Sequence, residues 1–175
     1  MSTTSDSNLP NYPNQDRHNS HQYPVRLEWT GNSGTGTSSY TAYQRSYQIT
    51  AVGKPVIEGS SDPKFRGDPA LYNPEELLVA SISSCHMLWY LHLCAVNKVV
   101  LLGYTDQSTG IMEEDTSHLG GGRFTSVSLY PEVTVASPDM IEQALALHEA
   151  AHKSCYIANS VNFPVHCYPK AESNR

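Results

Sequence analysis

The chain is short of positive charge: 11 Lys and Arg stand against 17 Asp and Glu, a formal net charge of −6 at pH 7. That balance argues against nucleic acid or an anionic membrane surface as a partner. Cysteine is scarce too, with four residues at 85, 94, 155 and 167 and no C-x-x-C pair. This is too few and too irregular for the disulfide framework of a secreted scaffold, so a reducing, cytoplasmic setting with one or two working thiols is expected. Residues 1–22 have hardly an apolar side chain. They contain no apolar core of a secretory signal and cannot offset their own ordering entropy, so they are expected to be a disordered polar tail. The remaining residues, 23–175, suffice for one domain with a core that needs no staples. No internal repeat is visible.

One absence organises the rest. From Leu77 to Asn97 there is no Asp, Glu, Lys or Arg. Asn73 suits an N-cap, Pro74 the first helical position, and Glu75 and Glu76 the positive end of the helix dipole, with Asn73 and Glu76 at capping-box spacing. A helix with no wide polar face is expected to be buried all round. The run approaches membrane-spanning length, but Ser81, Ser83, Ser84, His86, His92 and Asn97 interrupt it and no second span exists. The core helix of a soluble protein is the better reading.

Around this helix the sequence reads as strands. Val25–Trp29 alternates with period two and Tyr40–Val52 is a second β-like run, which predicts a hairpin. Gly53-Lys54-Pro55 ends it, and a loop from Gly59 to Tyr72 carries Lys64-Phe65-Arg66. Beyond the helix, Val99–Tyr104, Asp106–Met112 and Phe124–Ala136 are strand candidates, the last with a bulge or edge at Pro131. Ser137-Pro138-Asp139 starts a second helix, on which Ile141, Ala144, Leu145, His148, His152 and Cys155 form one stripe. Val161–Tyr168 is expected to be a short edge strand. The fold class is α+β.

Asn73-Pro74-Glu75-Glu76-Leu77-Leu78 followed by Ser84-Cys85, together with Ala151-His152-Lys153-Ser154-Cys155 at the end of the later helix, resembles the OsmC/Ohr family of thiol-dependent hydroperoxide reductases. Phe65-Arg66-Gly67-Asp68 and Ile157–Val165 look like one branch of that family. The resemblance covers roughly Tyr23 to the C terminus. It implies an intertwined homodimer with antiparallel sheets wrapped around two long central helices, and a catalytic set of Cys85, Cys155, Arg66 and Glu75. It implies no cofactor. The partners are then a small-molecule hydroperoxide and a dithiol reductant of lipoyl or thioredoxin type.

The chemistry agrees with those residue types. A thiolate attacks the peroxide O–O bond to give a sulfenic acid, and a second thiol condenses with it to a disulfide that a dithiol reduces. Cys85 falls among Leu78, Ile82, Leu88 and Trp89 at helical spacings, and apolar burial raises a thiol's pKa. A cation is therefore required. Arg66 is the candidate, held by Glu75 in a bidentate pair, with Lys64 or Arg45 as its alternatives. Cys94 and Cys167 are expected to be bystanders. Tyr156 stands where the family commonly has Pro, and Trp89 is either part of an apolar substrate wall or simple core packing.

Two other readings stand beside this one. His148-Glu149-Ala150-Ala151-His152 is H-E-x-x-H, the zinc-protease pattern, but Cys155 and Ala158 occupy the positions of the extended motif's Gly and third His. A milder version has a metal held by His148, His152 and Cys155. The other reading is a non-catalytic stress or binding protein that keeps the fold without turnover.

Overall fold

The computed structural model describes residues 20–115 and 121–174; most of the polar tail expected over residues 1–22 lies outside them. The chain divides between Asn73 and Pro74 into two compact units.

The first unit is a three-stranded antiparallel sheet, β1 (Arg26–Trp29), β2 (Tyr47–Thr50) and β3 (Ile57–Gly59), in the order β1-β2-β3. The expected hairpin is present, with Arg26 opposite Thr50 and Trp29 opposite Tyr47. Its second strand is shorter than expected because Tyr40–Ser46 closes an excursion instead. There Asn32 Oδ1 accepts from the N–H groups of Gly34 and Gly36, and Asn32 bridges Tyr43. β3 was hidden in the sequence behind Pro55. All four β1 residues are exposed.

Among its described residues the second unit holds two helices, α1 (Pro74–Val96) and α2 (Ile141–Ser154), and six strands. These are β4 (Leu101–Asp106), β5 (Thr109–Asp115), β6 (Gly121–Leu129), β7 (Pro131–Val135), β8 (Val165–Cys167) and β9 (Lys170–Ser173). They pair as β4-β7-β9 and β5-β6-β8. The neighbours β4/β5, β6/β7 and β8/β9 are consecutive in sequence, so three extended strands each bend once, at 107–108, Tyr130 and 168–169. The anticipated single strand over Phe124–Ala136 is therefore two. Asp106 stitches the bend: its carboxylate accepts from Tyr130 N at 2.8 Å, Ser108 Oγ at 2.6 Å and Ser83 Oγ of α1 at 2.6 Å. The rings of Tyr130 and Tyr168 stack across it, centroids 5.4 Å apart.

α1 begins right after Asn73, with Glu75 and Glu76 in its first turn. It ends in a Schellman arrangement: Lys98 takes a left-handed φ of 61°, and Val99 N–H reaches back to Cys94 O at 2.9 Å. Its inner residues Ile82, His86, Tyr90 and Cys94 feed two apolar clusters. One joins Ile82 to Val127 and Leu129; the other joins Tyr90 and Cys94 to Val133, Val135, Ala144 and Ala151. The expectation of burial all round does not hold within one chain. Ala80, Ser84, Leu88, Leu91 and Ala95, spaced three or four apart on one face, are exposed. On α2 the buried residues are Ala144, His148 and Ala151, while Leu145 faces out.

Candidate functional site

The two helices bring two thiols together. Cys85 lies in the middle of α1 and is half-buried; Cys155 caps the C terminus of α2 and is fully buried. The two thiols are near neighbours, close enough for Cys85 to help raise the Cys155 thiol, and both are free. Cys155 Sγ also lies 3.9 Å from Ile82 O, one turn before Cys85 on α1. Ala158 N–H points at the same sulfur from 3.5 Å, and Ile157 N–H adds a second donor. Burial pushes the Cys155 thiol up to about 11, with the neighbouring Cys85 adding to the rise and the two backbone donors opposing it. One thiol is thus reachable from outside, and the other is kept protonated beside it.

An aromatic wall stands next to this pair. Trp89, one turn beyond Cys85, meets Tyr156 edge to face with centroids 5.6 Å apart, and His92 at 5.8 Å. Tyr156, which directly follows Cys155, supplies part of that wall.

The candidate cations lie in the first unit. Asp62 caps the short 3₁₀ turn Pro63–Phe65 by accepting from Lys64 N, and Arg66 follows it with a left-handed φ of 68°. Gly67 closes the turn where a Cβ would collide with the Ser61 carbonyl, so the Arg66-Gly67 step is built by close backbone approach. The Arg66 guanidinium lies 5.8 Å from the Tyr40 ring centroid. Arg45 is committed elsewhere: its fork donates to the carbonyls of Tyr43 and Tyr40 and stacks on both rings. Glu75 belongs to the second unit, in the first turn of α1. α1 is continuous, so the ten residues between Glu75 and Cys85 amount to roughly 15 Å of rise. Glu75 and the Cys85 of the same chain do not share one small ligand.

The H-E-x-x-H segment is not arranged as a protease centre. Glu149 is turned to solvent and paired with Lys153 at 2.6 Å, while His148 points inward. The metal trio considered from sequence, His148, His152 and Cys155, is not what the fold gathers. His148 Nδ1 instead meets His86 Nε2 at 3.0 Å, and Cys167 Sγ lies 3.7 Å from that same His86 nitrogen. Burial holds both imidazoles at about 4, the second causes being His152 for His86 and His86 for His148. Burial, then the Asp106 carboxylate, lifts the Cys167 thiol to about 11. Sequence reasoning gave His86 no role and took Cys167 as a bystander. No spacing could have revealed the group, because its members come from α1, α2 and β8. Cys94, the other expected bystander, is buried in the apolar cluster beside Tyr90.

Comparison with known proteins gives a consistent answer. The model of the OsmC-like protein family matches residues 67–169. No curated protein matches the sequence. Among solved structures, an OsmC-like protein of unknown function from Vibrio cholerae is 29% identical, with a TM-score of 0.76 over 86% of this chain and 100% of that one. An organic hydroperoxide resistance protein from Legionella pneumophila is 18% identical, with a TM-score of 0.62 over 87% of this chain and 97% of its own. The organic hydroperoxide resistance protein OhrB of Bacillus subtilis is 19% identical, with a TM-score of 0.53 over 86% and 98%. The last two likenesses are of fold.

Proposed function

This chain belongs to the OsmC-like protein family, and on that premise we propose that it is a cysteine-based peroxidase for organic hydroperoxides, with Cys85 peroxidatic and Cys155 resolving. The observation that carries the reading is the neighbouring thiol pair of unequal exposure. The Cys85 thiolate attacks the outer peroxide oxygen; the O–O bond breaks, the alkoxide leaves and takes a proton as the alcohol, and Cys85 becomes a sulfenic acid. Cys155, deprotonated as it attacks with Ala158 and Ile157 N–H groups against its sulfur, then forms the disulfide and releases water. An external dithiol of lipoyl or thioredoxin type reduces that disulfide in two exchange steps. No cofactor enters the cycle.

The half-buried Cys85 needs a cation to hold its thiolate, and Arg66, oriented by Glu75, is assigned that role. With α1 unbroken, the Arg66–Glu75 unit that serves a given Cys85 comes from the partner in a homodimer. The exposed, uncharged face of α1 at Ala80, Ser84, Leu88 and Leu91 suits close approach of a second copy. Trp89 and Tyr156 favour an apolar organic peroxide over hydrogen peroxide. The setting is cytoplasmic.

The test is consumption of cumene hydroperoxide with dihydrolipoamide as reductant. Wild type should turn over, Cys85→Ser should not, and Cys155→Ser should accumulate a dimedone-reactive sulfenic acid on Cys85. Labelling at Cys94 or Cys167 instead would overturn the assignment.

A further inference from the structure

The peroxidase cycle leaves unused a buried group of potential metal ligands, His86, His148 and Cys167. His86 and His148 are 0% and 2% exposed, and Cys167 closes the group from β8. Their donor atoms all lie within 4.8 Å of one another. We infer that His86 Nε2, His148 Nδ1 and Cys167 Sγ form a binding site for one zinc ion, separate from the Cys85–Cys155 pair.

The spacing of the donors is the first support. Zinc bonds of about 2.0–2.1 Å to nitrogen and about 2.3 Å to sulfur, at tetrahedral angles, place donors about 3.3–3.6 Å apart. The observed 3.7 Å between Cys167 Sγ and His86 Nε2 is close to such an edge, and the 3.0 Å between the two nitrogens is a few tenths short. The imidazoles are nearly parallel, at 6°, with centroids 5.4 Å apart and nitrogens facing each other, the geometry of one N–H···N bond. Small rotations of both rings would turn their lone pairs from each other to a common centre.

The second support is a conflict in the metal-free protein. His86 Nε2 has one in-plane position for a hydrogen bond, yet both His148 Nδ1 and Cys167 Sγ converge on it. A cation satisfies all three electron pairs at once. Charge is the third. Two neutral imidazoles, a Cys167 thiolate and the Asp106 carboxylate, whose field reaches His86, His148 and Cys167, bring a divalent ion to neutrality inside the protein. Asp106 is held for that part by Ser83, Ser108 and Tyr130. A set of two imidazoles and one thiolate suits zinc and leaves a fourth position for water. Binding releases the Cys167 proton, and the proton shared by the imidazoles moves to an outer ring nitrogen. Those outer nitrogens, His86 Nδ1 and His148 Nε2, have no hydrogen-bond partner among the described residues, so the support around the ligands is thinner than in a zinc finger.

The experiment titrates zinc into the full-length, chelator-stripped, reduced protein by calorimetry and repeats the titration with cobalt(II), watching for thiolate-to-cobalt charge transfer and the visible bands of a tetrahedral ion. Expected are one equivalent per chain, a dissociation constant tighter than about 1 µM and release of about one proton. The Cys85→Ser/Cys155→Ser double variant should bind as wild type does. Cys167→Ser, shown folded by circular dichroism, should lose the charge-transfer band and weaken binding at least about tenfold; His86→Gln gives a second check on the same readout. Absence of binding to wild type, full binding by Cys167→Ser, or loss of binding in the double variant would each overturn the site.

Discussion

Two inactive variants should make one active protein. Cys85→Ser removes the peroxidatic sulfur and Glu75→Ala frees the arginine that serves it. Their separation follows from α1, which runs unbroken from Pro74 to Val96 and sets the two residues ten positions apart. That is roughly 15 Å of rise and about 80° of azimuth, too far for both to engage one peroxide from the same chain. In a two-fold dimer completed across chains, a hybrid of the two variants holds one site with Cys85 and Glu75 both intact and one site with neither. Random exchange of equal amounts makes half the dimers hybrid, so activity should recover to about a quarter of the wild-type value per chain. The assay is cumene hydroperoxide consumption before and after exchange, with hybrid formation followed by native mass spectrometry of differently tagged chains. Verified hybrids that gain no activity would refute the cross-chain site.

Arg66→Ala and Glu75→Ala should each slow peroxide reduction by about 10²-fold, and the double variant should be scarcely slower, because the two residues form one unit; additive losses in stopped-flow rates would separate them. The step in which Cys155 closes the disulfide should speed up with pH. Burial holds that thiol up at about 11, so its thiolate fraction, and the single-turnover rate of disulfide formation, should climb about tenfold per pH unit from pH 7 to near pH 10. A flat profile would mean that its proton is lost by another route. Ile82→Ala should cost about 2–5 kcal/mol in chemical denaturation, because this fully buried side chain joins α1 to Val127 and Leu129; a loss below about 1 kcal/mol would place it outside the core.

What was legible in the sequence was local. The start of α1 follows from Asn73, Pro74 and two glutamates, and the Cys155 position from helical spacing on α2; packing of those helices then sets the thiols side by side. The break between β6 and β7 was not legible, because Tyr130 N–H leaves the ladder for the Asp106 carboxylate, a partner 24 residues away. β3 lay behind a proline that reads as a stop. The uncharged length of α1 was read as complete burial, but absence of charge marks a surface meant to be covered without saying which chain covers it. The grouping of His86 with His148, 62 residues apart, and with Cys167, 81 residues away, exists only once α1, α2 and β8 are packed.

The sulfur of Cys155 is also a structural acceptor. It receives the Ala158 amide at 3.5 Å, while the carbonyl of the same residue receives the Asn159 amide at 3.0 Å, and together these fold the chain back as α2 ends. A sulfur drawn into a bond with Cys85 turns its lone pairs, and the Ala158 amide loses its partner. The turn would then loosen with each oxidation and tighten with each reduction. Amide hydrogen exchange at Ala158 would report the redox state of the protein from its backbone, and a dithiol reductant would meet a more open α2 terminus in the oxidised form, the one it must recognise.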